Sequence, residues 1–177
     1  MYLISVYFDE ATELKIRSYM KQIAKRTGNF AMIDGNVPPH ITISAFGIDS
    51  EEEAKEIFKR VSEKISAGMI QWVSTAAFFP QVIYLSPVLN EYLHHISEIT
   101  YKEVTQFPNA KLKGHYEPFA WMPHGTLAKH LTPEQMKCAF GVMQEQFAPF
   151  NSNIIKIGLA RTNPYENIMV RELKEKR

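Results

Sequence analysis

The stretch Pro38-Pro39-His40-Ile41-Thr42-Ile43 decides how the rest of this chain is interpreted, because the second half carries a matching stretch, Met122-Pro123-His124-Gly125-Thr126-Leu127. Both have the form Pro-His-x-Thr-aliphatic, and each opens a predicted strand. In an extended strand, residues i and i+2 point to the same face. Each histidine therefore projects together with its threonine, while the aliphatic neighbours project into a core. A single His-x-Thr is a weak signal, but repetition of the flanking proline and aliphatic residue favours a shared function over coincidence.

Two such pairs that converge on one pocket would supply two imidazoles and two hydroxyls, which is a suitable set of groups for a phosphate. Hydroxyls and ring nitrogens can hold phosphate oxygens, and two imidazoles can divide acid and base work near neutral pH. In the cleavage of a cyclic phosphodiester, the attacking water loses a proton and the leaving alkoxide gains one. Either histidine could take either role, and a bell-shaped pH profile is expected if both are needed.

Length and composition indicate an ordinary globular protein of 177 residues, for which one domain is expected. The net charge of +1 gives no electrostatic reason to expect binding to double-stranded DNA or an anionic membrane. A small nucleotide or an RNA end needs only a few local cations. The single Cys138 excludes an intramolecular disulfide and is consistent with a reducing compartment. The stretch Met1–Val6 lacks the basic region of a signal peptide, and no apolar run approaches membrane-spanning length, so we expect a cytoplasmic location.

The predicted elements form a unit that occurs twice. The order is strand, helix, strand, helix, strand, and then strand, helix, strand, helix, strand, strand. Each motif strand lies between two helices of its own half. The predicted strands cover residues 2–8, 40–46, 69–79, 81–85, 124–129, 153–161 and 167–173. Gly68 is expected to end the second helix, and residues 31–39 are expected to form a loop that leads to the first motif. We expect a duplication inside one domain, 1–177, with lobe one at about 1–79 and lobe two at about 80–177.

With these two motifs in a duplicated layout, the chain resembles the two-histidine phosphoesterase superfamily, the group of 2′-5′ RNA ligase-like proteins and cyclic nucleotide phosphodiesterases. The resemblance covers nearly the whole chain. It implies a bilobal α+β fold in which antiparallel sheets flank a central cleft, helices lie outside, and the two motifs face each other. It also implies an enzyme that acts on 2′,3′-cyclic phosphates or 2′-5′ phosphodiesters at nucleotide or RNA ends, by hydrolysis or ligation, without a metal or another cofactor.

Carried over position by position, the resemblance implies that His40 and His124 are the catalytic histidines and that the hydroxyls of Thr42 and Thr126 bind phosphate. Lys129 stands where relatives often carry a basic residue and is a further candidate for substrate binding, whereas the first motif has no basic partner at the matching place. The second motif also departs from the usual pattern at Gly125, which is smaller than an aliphatic residue and is expected to loosen the packing of that strand.

The loop of residues 109–122 is unusually rich in aromatic residues. Tyr116 and Trp121 are candidate substrate-binding residues, because their rings could stack on a nucleobase; the same rings could instead cap the core beneath the loop. For Phe119 we expect packing against the core.

Other functions for the histidines remain as alternatives. A zinc site is not expected, because His40 and His124 have no carboxylate at ligand spacing and the chain has no cysteine cluster. A binding module could use the same pocket to sense nucleotides or RNA ends without turnover. In a pure interaction protein, the motifs would be structural only. No heptad seam is present, and we expect a monomer.

Overall fold

A computed structural model describes residues 1–162 and 164–175 of the chain. The strands in these residues are β1 (Tyr2–Phe8), β2 (Ile41–Gly47), β3 (Gly68–Phe78), β4 (Val82–Pro87), β5 (Lys111–Leu112), β6 (Gly125–Ala128), β7 (Phe150–Arg161) and β8 (Glu166–Glu172). The helices are α1 (Glu10–Thr27), α2 (Ala31–Asp34), α3 (Glu51–Lys64), α4 (Glu91–Thr105) and α5 (Pro133–Gln146), with a 3₁₀ turn at Gly114–Tyr116. The predicted α+β class is confirmed.

Local sequence signals account for the ends of the principal helices. Asp9 caps α1 by accepting a hydrogen bond from the backbone of Thr12. The same helix ends at Gly28, whose φ of 70° is a left-handed conformation that glycine adopts without steric cost. At α5, Thr132 and Gln135 form a reciprocal capping box.

All strand pairs are antiparallel, and the strand order is β5-β2-β1-β7-β3-β4-β6, with β8 also pairing with β7. The sheet forks at β7. Strand β3 pairs with residues 150–154 of β7, and β8 pairs with residues 156–161. Strand β1 pairs with residues 154–161 of β7. The fork separates a β2-β1-β7 arm from a β3-β4-β6 arm.

The pairing of strands is equivalent in the two halves, and each half also contributes a strand and a helix that pack against the other half. In the first half β2 pairs with β1, and in the second half β6 pairs with β4. The third strands cross over, because β3 pairs with β4 and β7 pairs with β1. The first helix of each half also packs on the motif strand of the opposite half, α1 against β6 and α4 against β2. The two motif strands are therefore held by elements from both halves.

Several details differ from the sequence-based predictions. The predicted loop of residues 109–122 contains the short strand β5. Both motif histidines lie one residue before their strands, which begin at Ile41 and Gly125. The segment before the first motif, expected to be a loop, contains the short helix α2. Helix α3 ends at Lys64, and Gly68 begins β3 instead of ending the helix. A glycine is required there for close packing, since a Cβ at position 68 would lie 2.3 Å from Cε2 of Tyr92.

The core fills the space between the sheet and the helices. Its largest fully buried side chains include Trp72, Phe46 and Phe58. In the described residues, no helix is long and apolar enough to cross a membrane.

Candidate functional site

The two motif histidines are held in the same way. Nδ1 of His40 lies 2.8 Å from the carbonyl oxygen of Pro38, and Nδ1 of His124 lies 2.8 Å from the carbonyl oxygen of Met122. A carbonyl oxygen can only accept a hydrogen bond, so Nδ1 carries the proton in both rings. Each neutral imidazole therefore presents an unprotonated Nε2, which is the atom that can remove a proton or contact a phosphate oxygen.

Electrostatics favour the neutral form of both rings. Burial lowers the pKa of His40 below its ordinary value, the bond to Pro38 opposes this, and the positive charge of a protonated His124 lowers the pKa further. Burial also lowers the pKa of His124, and its bond to Met122 opposes the shift. The charge of His124 thus acts on His40.

The first-motif threonine is enclosed by other hydroxyl groups. Thr42 is 8% exposed, and its Oγ1 lies 3.3 Å from Oγ of Ser5, its partner on β1. Burial raises the pKa of Tyr116, and the Thr42 side chain opposes that shift. Thr126, the second-motif threonine, is half-buried and lines a cavity. The two motifs thus present one enclosed and one accessible hydroxyl.

A cavity of about 270 Å³ joins the two motifs. Its lining includes His40 from the first motif together with Thr126 and Lys129 from the second, and Tyr165 closes another side. The backbones also approach closely, since a Cβ at Gly125 would lie 3.8 Å from the carbonyl oxygen of His40. This cavity offers an imidazole, a hydroxyl and an ammonium group to one anion.

A second cavity, of about 340 Å³, lies on the His124 side and has a mainly aromatic lining. Phe78 meets the His124 ring edge-on, with ring centroids 4.8 Å apart, and Tyr84 lies at 5.4 Å from the same ring. Tyr116 and Met122 complete much of the wall. Flat apolar walls of this kind suit an aromatic group of a ligand.

The remaining sequence-predicted residues differ in their access to these cavities. Tyr116 lines the aromatic cavity. Trp121 also borders that cavity, but it is only 5% exposed, and its indole N–H donates to the carbonyl oxygen of Thr42 at 3.1 Å. This contact ties the loop of residues 109–122 to β2. Lys129 lies beside His40 and Thr126, as described above.

The expectation that Phe119 packs against the core is wrong. Phe119 is 86% exposed, has a φ of 66°, and lies beside the ring of His94, with ring centroids 4.5 Å apart. The left-handed backbone at this position directs the loop so that Trp121, two residues later, takes the buried place instead.

Sequence reasoning missed two residues of β1, Ser5 and Tyr7. Ser5 contacts Thr42, and the ring of Tyr7 lies beside His40 with ring centroids 6.3 Å apart. The available signal was their i, i+2 spacing, which puts two hydroxyl groups on one face of an otherwise apolar strand.

The expectation that Gly125 loosens the strand is also wrong, because Trp72 occupies the space that a side chain would fill. A Cβ at position 125 would lie 3.0 Å from Cη2 of Trp72. Trp72 is fully buried, and its indole N–H donates to Ser152 Oγ at 2.8 Å, so its ring has little freedom to move.

We therefore expect Gly125→Val to destabilise the protein by about 1–3 kcal/mol, which is typical of an overpacked core. The melting temperature should fall by about 2–4 °C per kcal/mol in a protein of this size. Gly141→Ala in α5 is the matched control, since a Cβ there meets open space and alanine favours a helix. Equal melting of Gly125→Val and wild type would contradict the tight contact with Trp72.

The described residues, 1–162 and 164–175, hold no group of three or more His, Cys, Asp or Glu side chains that could bind a metal ion. The polar groups of the site are therefore imidazoles, hydroxyls and one ammonium group. Such a set can bind a phosphate and move protons to and from its ester oxygens.

Comparisons with known proteins identify the family and the fold. A model of the 2′-5′ RNA ligase superfamily matches residues 12–166. The fold is similar to that of LigT from Escherichia coli in its apo form, with a TM-score of 0.65 at 10% identity over 98% of this chain and 97% of that one. LigT complexed with 3′-AMP gives 0.65 at 12% identity, covering 98% of each chain, and a structure described as a phosphoesterase gives 0.63 at 13% identity with the same coverage. No curated protein matches by sequence.

Proposed function

The chain belongs to the 2′-5′ RNA ligase superfamily, and from this premise we propose that it is a metal-independent phosphoesterase with His40 and His124 as its catalytic residues. Its substrate is a 2′,3′-cyclic phosphate or a 2′-5′ phosphodiester at a nucleotide or RNA end, and the reaction can also run as ligation. The similar LigT fold has been seen with 3′-AMP and with phosphate.

The near-neutral charge and the single cysteine support a cytoplasmic protein, and we propose that it acts as a monomer.

The observation that carries this proposal is the matching pair of Nδ1 hydrogen bonds, from His40 to Pro38 and from His124 to Met122. Each bond fixes the ring and leaves Nε2 free to exchange a proton. One neutral imidazole removes the proton of the attacking oxygen, and the other, once protonated, gives a proton to the leaving alkoxide. A bound phosphodiester anion favours the protonated state of the neighbouring imidazole, which supplies the acid.

The phosphate is held by hydroxyl and ammonium groups. Thr126 and Lys129 line the same cavity as His40, and Thr42 lies within hydrogen-bonding reach of Ser5. Donors fixed by strands stabilise the charge that builds up on the non-bridging oxygens in the transition state, without needing to reorganise.

The nucleobase occupies the aromatic cavity beside His124. Phe78 and Tyr116 supply ring surface there, and Met122 adds a polarisable side chain. Trp121 was predicted as a substrate-binding residue; its low exposure and its bond to Thr42 support a role in holding the loop, with only part of its ring available to a base.

The direct test is hydrolysis of the four 2′,3′-cyclic nucleotides and of a 2′-5′-linked dinucleotide in the presence of EDTA, with identification of the products. Turnover that persists in EDTA supports the proposal. Turnover that EDTA removes and a divalent metal restores would overturn metal independence. The alternative, a sensor for nucleotides or RNA ends, predicts saturable binding of these compounds by calorimetry without any product.

The pKa shifts predict where the pH profile has its maximum. Below both histidine pKa values no base is available, and above both no acid is available, so kcat/KM should be bell-shaped. Both values are lowered from 6.5 in the free protein, so the maximum, which lies midway between them, should fall below pH 6.5. Because a bound anion raises both pKa values, the maximum of kcat should lie at a higher pH than that of kcat/KM. Steady-state kinetics across the pH range checks both, and a kcat/KM maximum above pH 7 would contradict the lowered values.

A further inference from the structure

We propose that Tyr165 is a further residue of the active site, whose phenolic oxygen accepts a hydrogen bond from the water that attacks phosphorus. This role rests on the proposed function and assigns the nucleophile to the His40 side of the site. Tyr165 lies just before β8 and lines the cavity of about 270 Å³ together with His40 and Thr126. Its side chain therefore borders a space that His40 also borders.

Two partners fix the direction of the Tyr165 hydroxyl. It donates its only proton to Oδ1 of Asn167 at 2.9 Å, and Oη of Tyr7 lies 3.2 Å away. Because that proton is already used, Tyr7 must be the donor in the hydrogen bond between the two tyrosines. A phenolic oxygen has two lone pairs, so one remains after Tyr7 has used the other. No further hydrogen bond to this oxygen comes from the described parts of the chain, 1–162 and 164–175.

Tyr7, which donates the hydrogen bond to Tyr165, has little freedom to move. It is 7% exposed, and its ring lies against the backbone of Gly158 on β7, where a Cβ would be 2.8 Å from Cε2 of Tyr7. Burial, together with donation to Tyr165, raises the pKa of Tyr7, and burial raises that of Tyr165. Both hydroxyls thus stay neutral, and the chain from Tyr7 through Tyr165 to Asn167 keeps its direction.

The remaining lone pair matches what a water molecule needs. Water has two protons: Nε2 of His40 removes one as the bond from oxygen to phosphorus forms, and the other stays on that oxygen and is held by Tyr165. The bond from phosphorus to one ribose oxygen breaks, and that oxygen takes a proton from the protonated His124. An attacking alcohol, such as the ribose 5′-hydroxyl in ligation, has only one proton, which His40 takes. Tyr165 therefore favours water over an alcohol as the nucleophile.

The test is the partition of a 2′,3′-cyclic nucleotide between hydrolysis and methanolysis in aqueous methanol, for wild type and Tyr165→Phe. Loss of one hydrogen bond to water should slow hydrolysis by about fivefold, with little effect on methanolysis. The ratio of methyl ester to hydrolysis product should therefore rise by about the same factor. The ratio is set only by molecules that turn over, so a partly misfolded preparation does not change it.

A second variant tests the direction of the Tyr165 hydroxyl, and a third is a matched control for the loss of a tyrosine hydroxyl. Asn167→Ala releases the proton of Tyr165 to point into the cavity, which replaces an acceptor with a donor, so the ratio should rise in this variant as well. Tyr19→Phe makes the same chemical change in α1, where the ring packs beside Phe147 and Phe150, and should leave the ratio unchanged. An unchanged ratio in Tyr165→Phe, even with both rates lowered, would overturn this role. A wild-type protein that turns over neither a 2′,3′-cyclic phosphate nor a 2′-5′ phosphodiester would instead overturn the proposed function, and this role with it.

Discussion

Replacing either His40 or His124 by alanine is expected to lower kcat for hydrolysis of a 2′,3′-cyclic nucleotide by about 10²- to 10⁴-fold, the usual contribution of a positioned proton-transfer group. Each variant removes one of the two free Nε2 atoms and leaves the other in place. Because the two histidines act on the same step, the double variant should lose much less than the product of the single losses. Initial rates measured in EDTA, with all proteins at the same folded concentration, give these factors.

The loss should not come from unfolding. Each ring makes one hydrogen bond to a backbone carbonyl, and such a bond contributes about 0.5–1.5 kcal/mol to stability. His95→Ala is the matched control, since His95 is exposed on α4, and it should retain full activity. Affinity for the reaction product, measured by calorimetry, should change far less than kcat. A rate that stays within threefold of wild type in either histidine variant would contradict catalysis by the pair.

Replacing either motif threonine by valine is expected to lower kcat by about 10²-fold, because the hydroxyl that we propose as a ligand of a non-bridging phosphate oxygen is lost while the shape of the side chain is kept. The two variants should differ in stability. Thr42→Val leaves Ser5, which is 2% exposed, without its hydroxyl partner, at a cost of about 1–3 kcal/mol. Thr126 is half-buried beside a cavity, so Thr126→Val should melt like the wild type.

Kinetics and thermal melting of the two variants check both statements. Thr105→Val is a suitable control, because its hydroxyl bonds only to carbonyl groups of its own helix, α4. If both motif variants keep kcat within threefold of wild type, the phosphate is held by other groups. If Thr126→Val loses as much stability as Thr42→Val, the contrast between an accessible and an enclosed hydroxyl is wrong.

The repeated motif, together with the hydrophobic patterns around it, was sufficient to predict the α+β class. Repetition works as a predictor because each motif strand pairs with the first strand of its own half, so the two copies occupy equivalent places. The order of strands also followed from residue patterns, because hydrophobic spacing and turn residues are local properties.

The parts that sequence reasoning missed depend on contacts between distant segments. Nothing local to Ser5 or Tyr7 indicates that β1 lies beside the first motif; the register that pairs Ser5 with Thr42 is a property of the sheet. The same holds for Gly125, which resembled a packing defect until the position of Trp72 was known. Phe119 and Trp121 are similar aromatic residues in one loop, and only the backbone conformation decides which is buried.

The crossing of β3 and β7 has a consequence for how the chain can be divided. A cut in the turn between β3 and β4 would leave two fragments, and each would lack the third strand of its own arm. Neither fragment could complete an arm by itself, whereas a mixture of both would restore every ladder. The two halves of the protein exchange their third strands and are joined by the turn between β3 and β4. A single repeat could build the same sheet only by exchanging strands with a second copy.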